Sequence, residues 1–194
     1  EAIIEARAIP VITEIDKTLN MDPEDLEKKI TKRTKAIIVV HMLGVPARLK
    51  EINKIADKYG IPLIEDTAWG CGGYYNDISL GTYGNIGTYS FDFAKTMTTG
   101  EGGMVVFKDK HLYEKAAAWH DHGHENNPDF QRWEDSRSNS GFNYRMNEMQ
   151  GAIGLAQLKK LDFVFAEQRK NADLIKESIS DLPIEMRAVP DGSF

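Results

Sequence analysis

Residues 35–66 read "KAIIVVHMLGVPARLKEINKIADKYGIPLIED", and this stretch decides the fold class. "KAIIVV" (35–40) is an apolar run behind one lysine, as expected of a buried parallel strand. "ARLKEINKIADKYG" then sets Leu49, Ile52, Ile55 and Ala56 at helical spacing and stops at Gly60, a residue suited to the left-handed turn that ends a helix. "IPLIED" (61–66) follows as the next strand. Strand, helix, strand predicts an α/β fold, a mostly parallel sheet flanked by helices.

The same pattern extends outward. Upstream, "IPVITEI" (9–15) is a short β-rich run, and in "MDPEDLEKKI" Asp22 is a helix N-cap with Pro23 at the first helical position. Downstream, "NIGTYSF" and "GMVVF" add two short strands, and "DKHLYEKAAAWHDHG" is a helix ending near Gly123. The segment 124–142, "HENNPDFQRWEDSRSNSGF", is polar and rich in turn formers, and a loop of that length is usually functional or mobile. Helical periodicity resumes in "RMNEMQGAIGLAQLKKL" through Met146, Met149, Ile153 and Ala156. "DFVFAEQRKNADLIKESI" is a further helix, charged on one face.

Composition narrows the function classes. Of 194 residues, 41% are apolar and 28% charged, which is globular usage rather than disorder. No apolar run approaches the roughly twenty residues that span a bilayer. The net charge of −6, with both signs interspersed, gives no footprint for nucleic acid. A lone cysteine, Cys71, makes no internal disulfide, which fits a reducing cytoplasm. The chain opens at Glu1 and stops just after "PDGS", so the expectation is a piece of a longer protein.

Two positions bracket the chemistry. Asp66 ends "IPLIED", and in open α/β sheets the working site lies outside the carboxyl ends of the strands. Lys95 follows another strand in "SFDFAKTMTTGEGG" (90–103) and could face the same crevice, its Thr and Gly neighbours letting the chain pass close to a bulky cofactor. Together they suggest pyridoxal phosphate, whose aldehyde takes a lysine as a Schiff base and whose ring nitrogen takes an acidic partner. A carboxylate there favours the protonated ring, because an opposite charge raises the pKa of a base. Each residue also has a bland reading, Lys95 as a solvated surface lysine and Asp66 as a helix cap.

"PLIEDTAWGCGG", "GTYSFDFAKTMTTGEGGMVV" and "GFNYRMNEMQGAIGLAQLKKLD", in this order and spacing, resemble the DegT/DnrJ/StrS family of pyridoxal-phosphate sugar aminotransferases. The likeness runs from "TKAIIVVHMLG" to the helix beyond Leu161. It implies the type I, aspartate aminotransferase-like fold of PLP-dependent transferases. Residues 1–163 are then a large domain lacking its N-terminal part, and 164–194 lead into a small C-terminal domain. The resemblance makes Lys95 the Schiff-base lysine, Asp66 the pyridinium partner and Ser90 a hydroxyl donor to the cofactor phosphate. It has Asn143, in "GFNYR", reach the phosphate held by a neighbouring subunit, which implies a homodimer with shared active sites. Ser90 as a strand serine and Asn143 as a helix cap are the bland readings.

The sequence departs from that pattern in two places. Trp69 stands where many members have Gln near the cofactor ring hydroxyl; its N–H can still donate there, or its ring can pack on the cofactor. Cys71 stands where relatives often have His, and reads as a small filler. Dehydrating members replace the lysine by histidine, so Lys95 argues for transamination.

The combination "EDTAWGCGG", "SFDFAKTMTTGEGGM" and "HDHGHENNP" looks most like transaminases that aminate the terminal carbon of octulosonate, an eight-carbon acid sugar of lipopolysaccharide, with glutamate as donor. An anionic acceptor calls for basic or imidazole groups, so His122 and Arg145 are the candidate substrate-binding residues. His120 and His124 are as readily solvated, and no cysteine or acidic cluster completes a metal site around the three histidines. The alternatives are a nucleotide-sugar aminotransferase resembling perosamine synthases and a catalytically silent regulatory relative.

Overall fold

The computed structural model describes residues 1–137 and 139–194. A one-turn helix α1 (Ala2–Glu5) is followed by an irregular segment and then α2 (Pro23–Lys29). The β-rich run at 9–15 forms no strand. Ile15 makes only an isolated bridge to Met21, and Ile9, Val11 and Ile12 are 73%, 65% and 78% exposed. A strand must pair its backbone N–H and C=O groups, and among the described residues no sheet strand pairs with this segment. The α2 start is as expected: Asp22 accepts a hydrogen bond from the Glu24 N–H at 2.9 Å, with Pro23 at the first position.

The strand, helix, strand unit is present as β1 (Ile37–Val40), α3 (Leu49–Tyr59) and β2 (Leu63–Asp66). Gly60 ends α3 at φ 63°. A small hairpin of β3 (Tyr74–Tyr75) and β4 (Ile78–Ser79) comes next, turning through Asn76 and Asp77 at φ 48° and 62°. Asx residues tolerate the left-handed conformation that such a tight turn requires. Strands β5 (Ile86–Ser90) and β6 (Gly103–Phe107) complete a sheet of order β1-β2-β5-β6, parallel except for the β5–β6 pair.

One face of that sheet carries the core. Ile37, Val39 and Leu63 pack with Leu49, Ile52 and Ala56 of α3 and with Leu26 of α2. Leu63 is fully enclosed, and burial of such a side chain stabilises by about 2 kcal/mol. This packing fixes β2, and with it the residue at its carboxyl end.

Helix α4 (Lys110–His120) is capped by Asp109, which accepts from the Leu112 N–H at 3.0 Å. Helix α5 (Glu148–Leu158) opens on a capping box between Asn147 and Gln150, so the cap is Asn147 and Asn143 lies outside the helix. Helix α6 (Leu161–Ser178) runs through the expected domain boundary at 163 without a break. No helix among the described residues is long and apolar enough to cross a membrane.

Candidate active site

The register of the sheet brings Asp66 opposite Thr88, with Ser90 two residues further along β5. Strand alternation therefore puts Asp66, Thr88 and Ser90 on one face, and Leu63, Glu65 and Tyr89 on the other. Asp66 is half-buried, and its Oδ1 accepts from the Ala68 N–H at 3.1 Å. Ser90 Oγ accepts from the Asp92 N–H at 3.3 Å.

Beyond Ser90 the chain closes a loop on itself. The Phe91 N–H donates to Gly102 O at 2.8 Å, and the Thr99 N–H donates back to Phe91 O at 2.9 Å. Thr98 Oγ1 accepts from the Gly100 N–H at 3.0 Å, Thr99 Oγ1 donates to Glu101 O at 2.7 Å, and Gly100 turns at φ 83°. These Thr and Gly residues thus close the loop. Lys95 sits within it, half-buried, its N–H donating to Asp92 O at 3.0 Å. Its Nζ lies 3.8 Å from the centroid of the Trp69 ring, a cation–π contact. Trp69 is 50% exposed and follows Asp66 by three positions, so Lys95, Trp69, Asp66 and Ser90 gather at one edge of the sheet.

His122, Asn143 and Arg145 form a second group, centred on Asp121. An antiparallel bridge joins Asp121 to Asn143, and the His122 N–H donates to Phe142 O at 2.9 Å. Asn143 Oδ1 accepts from the Arg145 N–H and Nε–H, both at 3.3 Å, and Arg145 Nε lies 3.4 Å from Asp121 Oδ1. Trp119 stacks on Tyr144 at 5.2 Å and meets Phe142 edge-on at 5.4 Å. His122 is exposed, and in the left-handed region at φ 56°.

Asp121 itself is buried. Arg132 donates to it twice, from Nη2 at 2.8 Å and Nη1 at 3.1 Å, and Asn126 Nδ2 at 3.3 Å. Arg132 above all, with Asn126 and Arg145, holds its carboxyl far below the usual range against the opposing effect of burial. The segment after α4 is tied down accordingly. His124, expected as readily solvated, is 5% exposed, with Nδ1 3.3 Å from Asp135 Oδ2. Between the two groups, Gln150 Nε2 of α5 donates to Glu101 O at 2.8 Å, in the loop that carries Lys95.

Sequence reading passed over Glu65 and His41, both fully buried and 3.0 Å apart. A carboxylate at an inward position of an apolar strand, two residues after Leu63, was the available signal. Cys71 is half-buried, and burial pushes its thiol up, away from reactivity. Among the described residues no group of three His, Cys, Asp or Glu is arranged to hold a metal ion.

A mixed sheet with flanking helices is the architecture of type I PLP-dependent transferases, and solved structures agree on that fold. An aminotransferase, TlmJ, from Streptoalloteichus hindustanus matches 100% of this chain and 52% of its own, at 30% identity and a TM-score of 0.92. Escherichia coli GDP-4-keto-6-deoxy-D-mannose-3-dehydratase, solved with bound hydrated PLP, matches 88% of this chain and 47% of its own, at 36% identity and a TM-score of 0.80. The chain belongs to the DegT/DnrJ/EryC1/StrS aminotransferase family, whose profile matches residues 1–193. GDP-perosamine synthase of Escherichia coli O157:H7 is 41% identical over 90% of this chain and 47% of its own. The chain spans about half the length of the curated relatives it matches.

Proposed function

We propose that the protein containing this chain is a PLP-dependent aminotransferase that moves an amino group from an amino acid, glutamate in our reading, to a keto or aldehyde sugar. The observation that carries this is the placement of Lys95 Nζ 3.8 Å from the Trp69 ring, at the edge where Asp66 and Ser90 end neighbouring strands. The donor set fits the cofactor: a primary amine for its aldehyde, a carboxylate for its ring nitrogen and a hydroxyl for its phosphate. When bound, the cofactor supplies the electron sink that lets the donor's α-hydrogen leave as a proton.

The chain's own residues supply the rest. Lys95 would tether the cofactor through Nζ, and once displaced by the donor's amine its neutral amine would move the α-proton between the two carbons that flank the transferred nitrogen. The Asp66 carboxylate keeps the ring nitrogen protonated, since an opposite charge favours the charged form of a base. Ser90 donates its hydroxyl to the phosphate. Trp69 offers a flat apolar face to the site and, with an indole N–H, one donor. Asn143 reaches the phosphate in a neighbouring subunit of a homodimer, and His122 and Arg145 meet the acceptor. On this reading residues 1–163 belong to the large domain and 164–194 lead into the small one, and the enzyme works in the cytoplasm, where Cys71 stays reduced.

For the acceptor we infer 3-deoxy-manno-octulosonate, aminated at carbon 8, from the motif combination around Trp69, Lys95 and His122. A nucleotide-linked ketosugar is the second reading, favoured by the 41% identity to a GDP-perosamine synthase. The test uses the full-length protein loaded with PLP. Glutamate should bleach the visible absorbance of the bound cofactor and release oxoglutarate, and a panel of free keto-acid sugars and nucleotide-linked ketosugars should then restore it for one class only. No bleaching with glutamate or any other amino acid would reject transamination.

A further inference from the structure

Glu65 is a carboxylate with no exposed surface, inside the apolar face of β2. Burying an ion is unfavourable unless hydrogen bonds replace its water. Three donors do so: His41 Nε2 reaches Oε2 at 3.0 Å, the Gly81 N–H reaches Oε2 at 2.9 Å and the Gly84 N–H reaches Oε1 at 2.6 Å. Burial pushes the carboxyl up, and the bonds from His41, Gly84 and Gly81 outweigh it and hold the group below its usual range. On the other side of the imidazole, the Ala47 N–H donates to His41 Nδ1 at 3.1 Å. Nδ1 therefore carries the lone pair, and the ring proton sits on Nε2, facing Glu65.

This pair lies directly behind the residues assigned to the cofactor. The His41 N–H donates to Asp66 O at 3.1 Å, so one residue binds Glu65 by its ring and Asp66 by its backbone. The loop that follows passes under Trp69: a Cβ added at Gly44 would lie 3.0 Å from Trp69 O, and one added at Gly70 would lie 3.5 Å from His41 Cβ. Gly44 itself turns at φ 79°, with Leu43 beside it at φ 53°. The 66–70 segment is thus braced from behind by the His41 loop, and Glu65 sets where that loop sits. A well-packed apolar pair fills a buried site with equal or greater stability; a charge kept here serves position.

We propose that His41 and Glu65 are a buried positioning pair that holds Asp66 and Trp69 in register with the cofactor ring, a role neither resemblance nor motif assigned to them. It rests on the PLP reading above. The amide of Glu65→Gln turns one acceptor into a donor facing an N–H in either orientation, whereas His41→Gln retains a donor for Glu65 and His41→Asn does not.

The test measures PLP dissociation constants by absorbance, and melting temperatures of the cofactor-free form, for the full-length protein. Asp109→Ala is the comparison variant, since it removes the N-cap of α4 and destabilises the fold without touching β2 or these hydrogen bonds. Glu65→Gln and His41→Asn should weaken PLP binding about tenfold, the effect of one hydrogen bond to a charged group. His41→Gln should stay close to wild type, and Asp109→Ala should lower the melting temperature with affinity held within about twofold, as independent sites do. If Glu65→Gln does not fold, the His41 pair decides. Wild-type affinity in His41→Asn, or losses that follow melting temperature across all variants including Asp109→Ala, overturns the proposal while leaving the PLP reading intact. Failure of the wild type to take up PLP overturns both.

Discussion

Replacing Asp121 by Asn should free the 124–137 loop while leaving the sheet folded. The carboxylate side chain is 6% exposed, but its partners Arg132 and Arg145 are 47% and 46% exposed. Removing one member of a fully buried pair costs about 3–5 kcal/mol, and an exposed pair contributes about 0.2–1 kcal/mol. With one partner buried and the others half in solvent, screening brings the expected loss to about 2 kcal/mol. That corresponds to about a thirtyfold larger opening constant for the loop. The assay is hydrogen exchange by mass spectrometry, or tryptic cleavage at Arg132 and Arg137 under native conditions, where rates follow the open population. The depressed carboxyl gives a second reading of the same interaction. Its ordinary value is 3.8, so the contribution is complete above that pH and is lost as pH falls below it toward the folded value. Loop protection in the wild type should therefore drop in acid, and the Asn variant should lack that component. Exchange within about threefold of wild type at neutral pH, with an unchanged acid response, would refute the reasoning.

Other outcomes follow from the same geometry. Gly72→Ala should destabilise by about 2 kcal/mol or more, because Gly72 turns at φ 81° and an added Cβ would lie 2.1 Å from the Phe165 ring of α6; a melting temperature equal to wild type refutes this. Asp66→Asn in the full-length protein should still take up PLP but slow glutamate-dependent bleaching about a hundredfold, the scale of losing one preorganised electrostatic partner, and stopped-flow absorbance reads it. Trp69→Gln, which restores the residue usual in the family, should alter PLP affinity by less than about fivefold, since a cation–π contact at a half-exposed ring contributes about 0.5–1 kcal/mol; absorbance titration checks it.

Legibility followed the range of the interactions. The strands around Ile37–Val40 and Leu63–Asp66 were plain in the sequence because each opens on a local apolar run, and α3 because Leu49, Ile52 and Ala56 share a face and Gly60 ends it. The run at 9–15 has the same local look and fails as a strand, because pairing depends on a neighbour that local sequence does not specify. The β3–β4 hairpin escaped notice since its strands are two residues each, too short for alternation to register. Asn143 and Asn147 are equally good caps on paper, and only Asn147 has a Gln three positions later to complete the box. Lys95 and Asp66 stood out as candidates by residue type and position, while the meeting of Lys95 with Trp69 is a tertiary fact. Glu65 with His41, and Asp121 with Arg132, depend on partners brought together by folding, so each looked like an ordinary charged or polar residue. His124, left open between a solvated and a substrate-facing role, is buried beside Asp135, a partner that folding supplies.

The central claim is that Lys95 carries the cofactor, and one measurement meets it directly. Full-length protein is saturated with PLP, reduced with borohydride, digested and mapped by mass spectrometry. The account predicts one modified peptide, carrying the reduced cofactor on Lys95 and absent from Lys95→Ala. A label on any other lysine, or no label on a protein that has bound PLP, contradicts it.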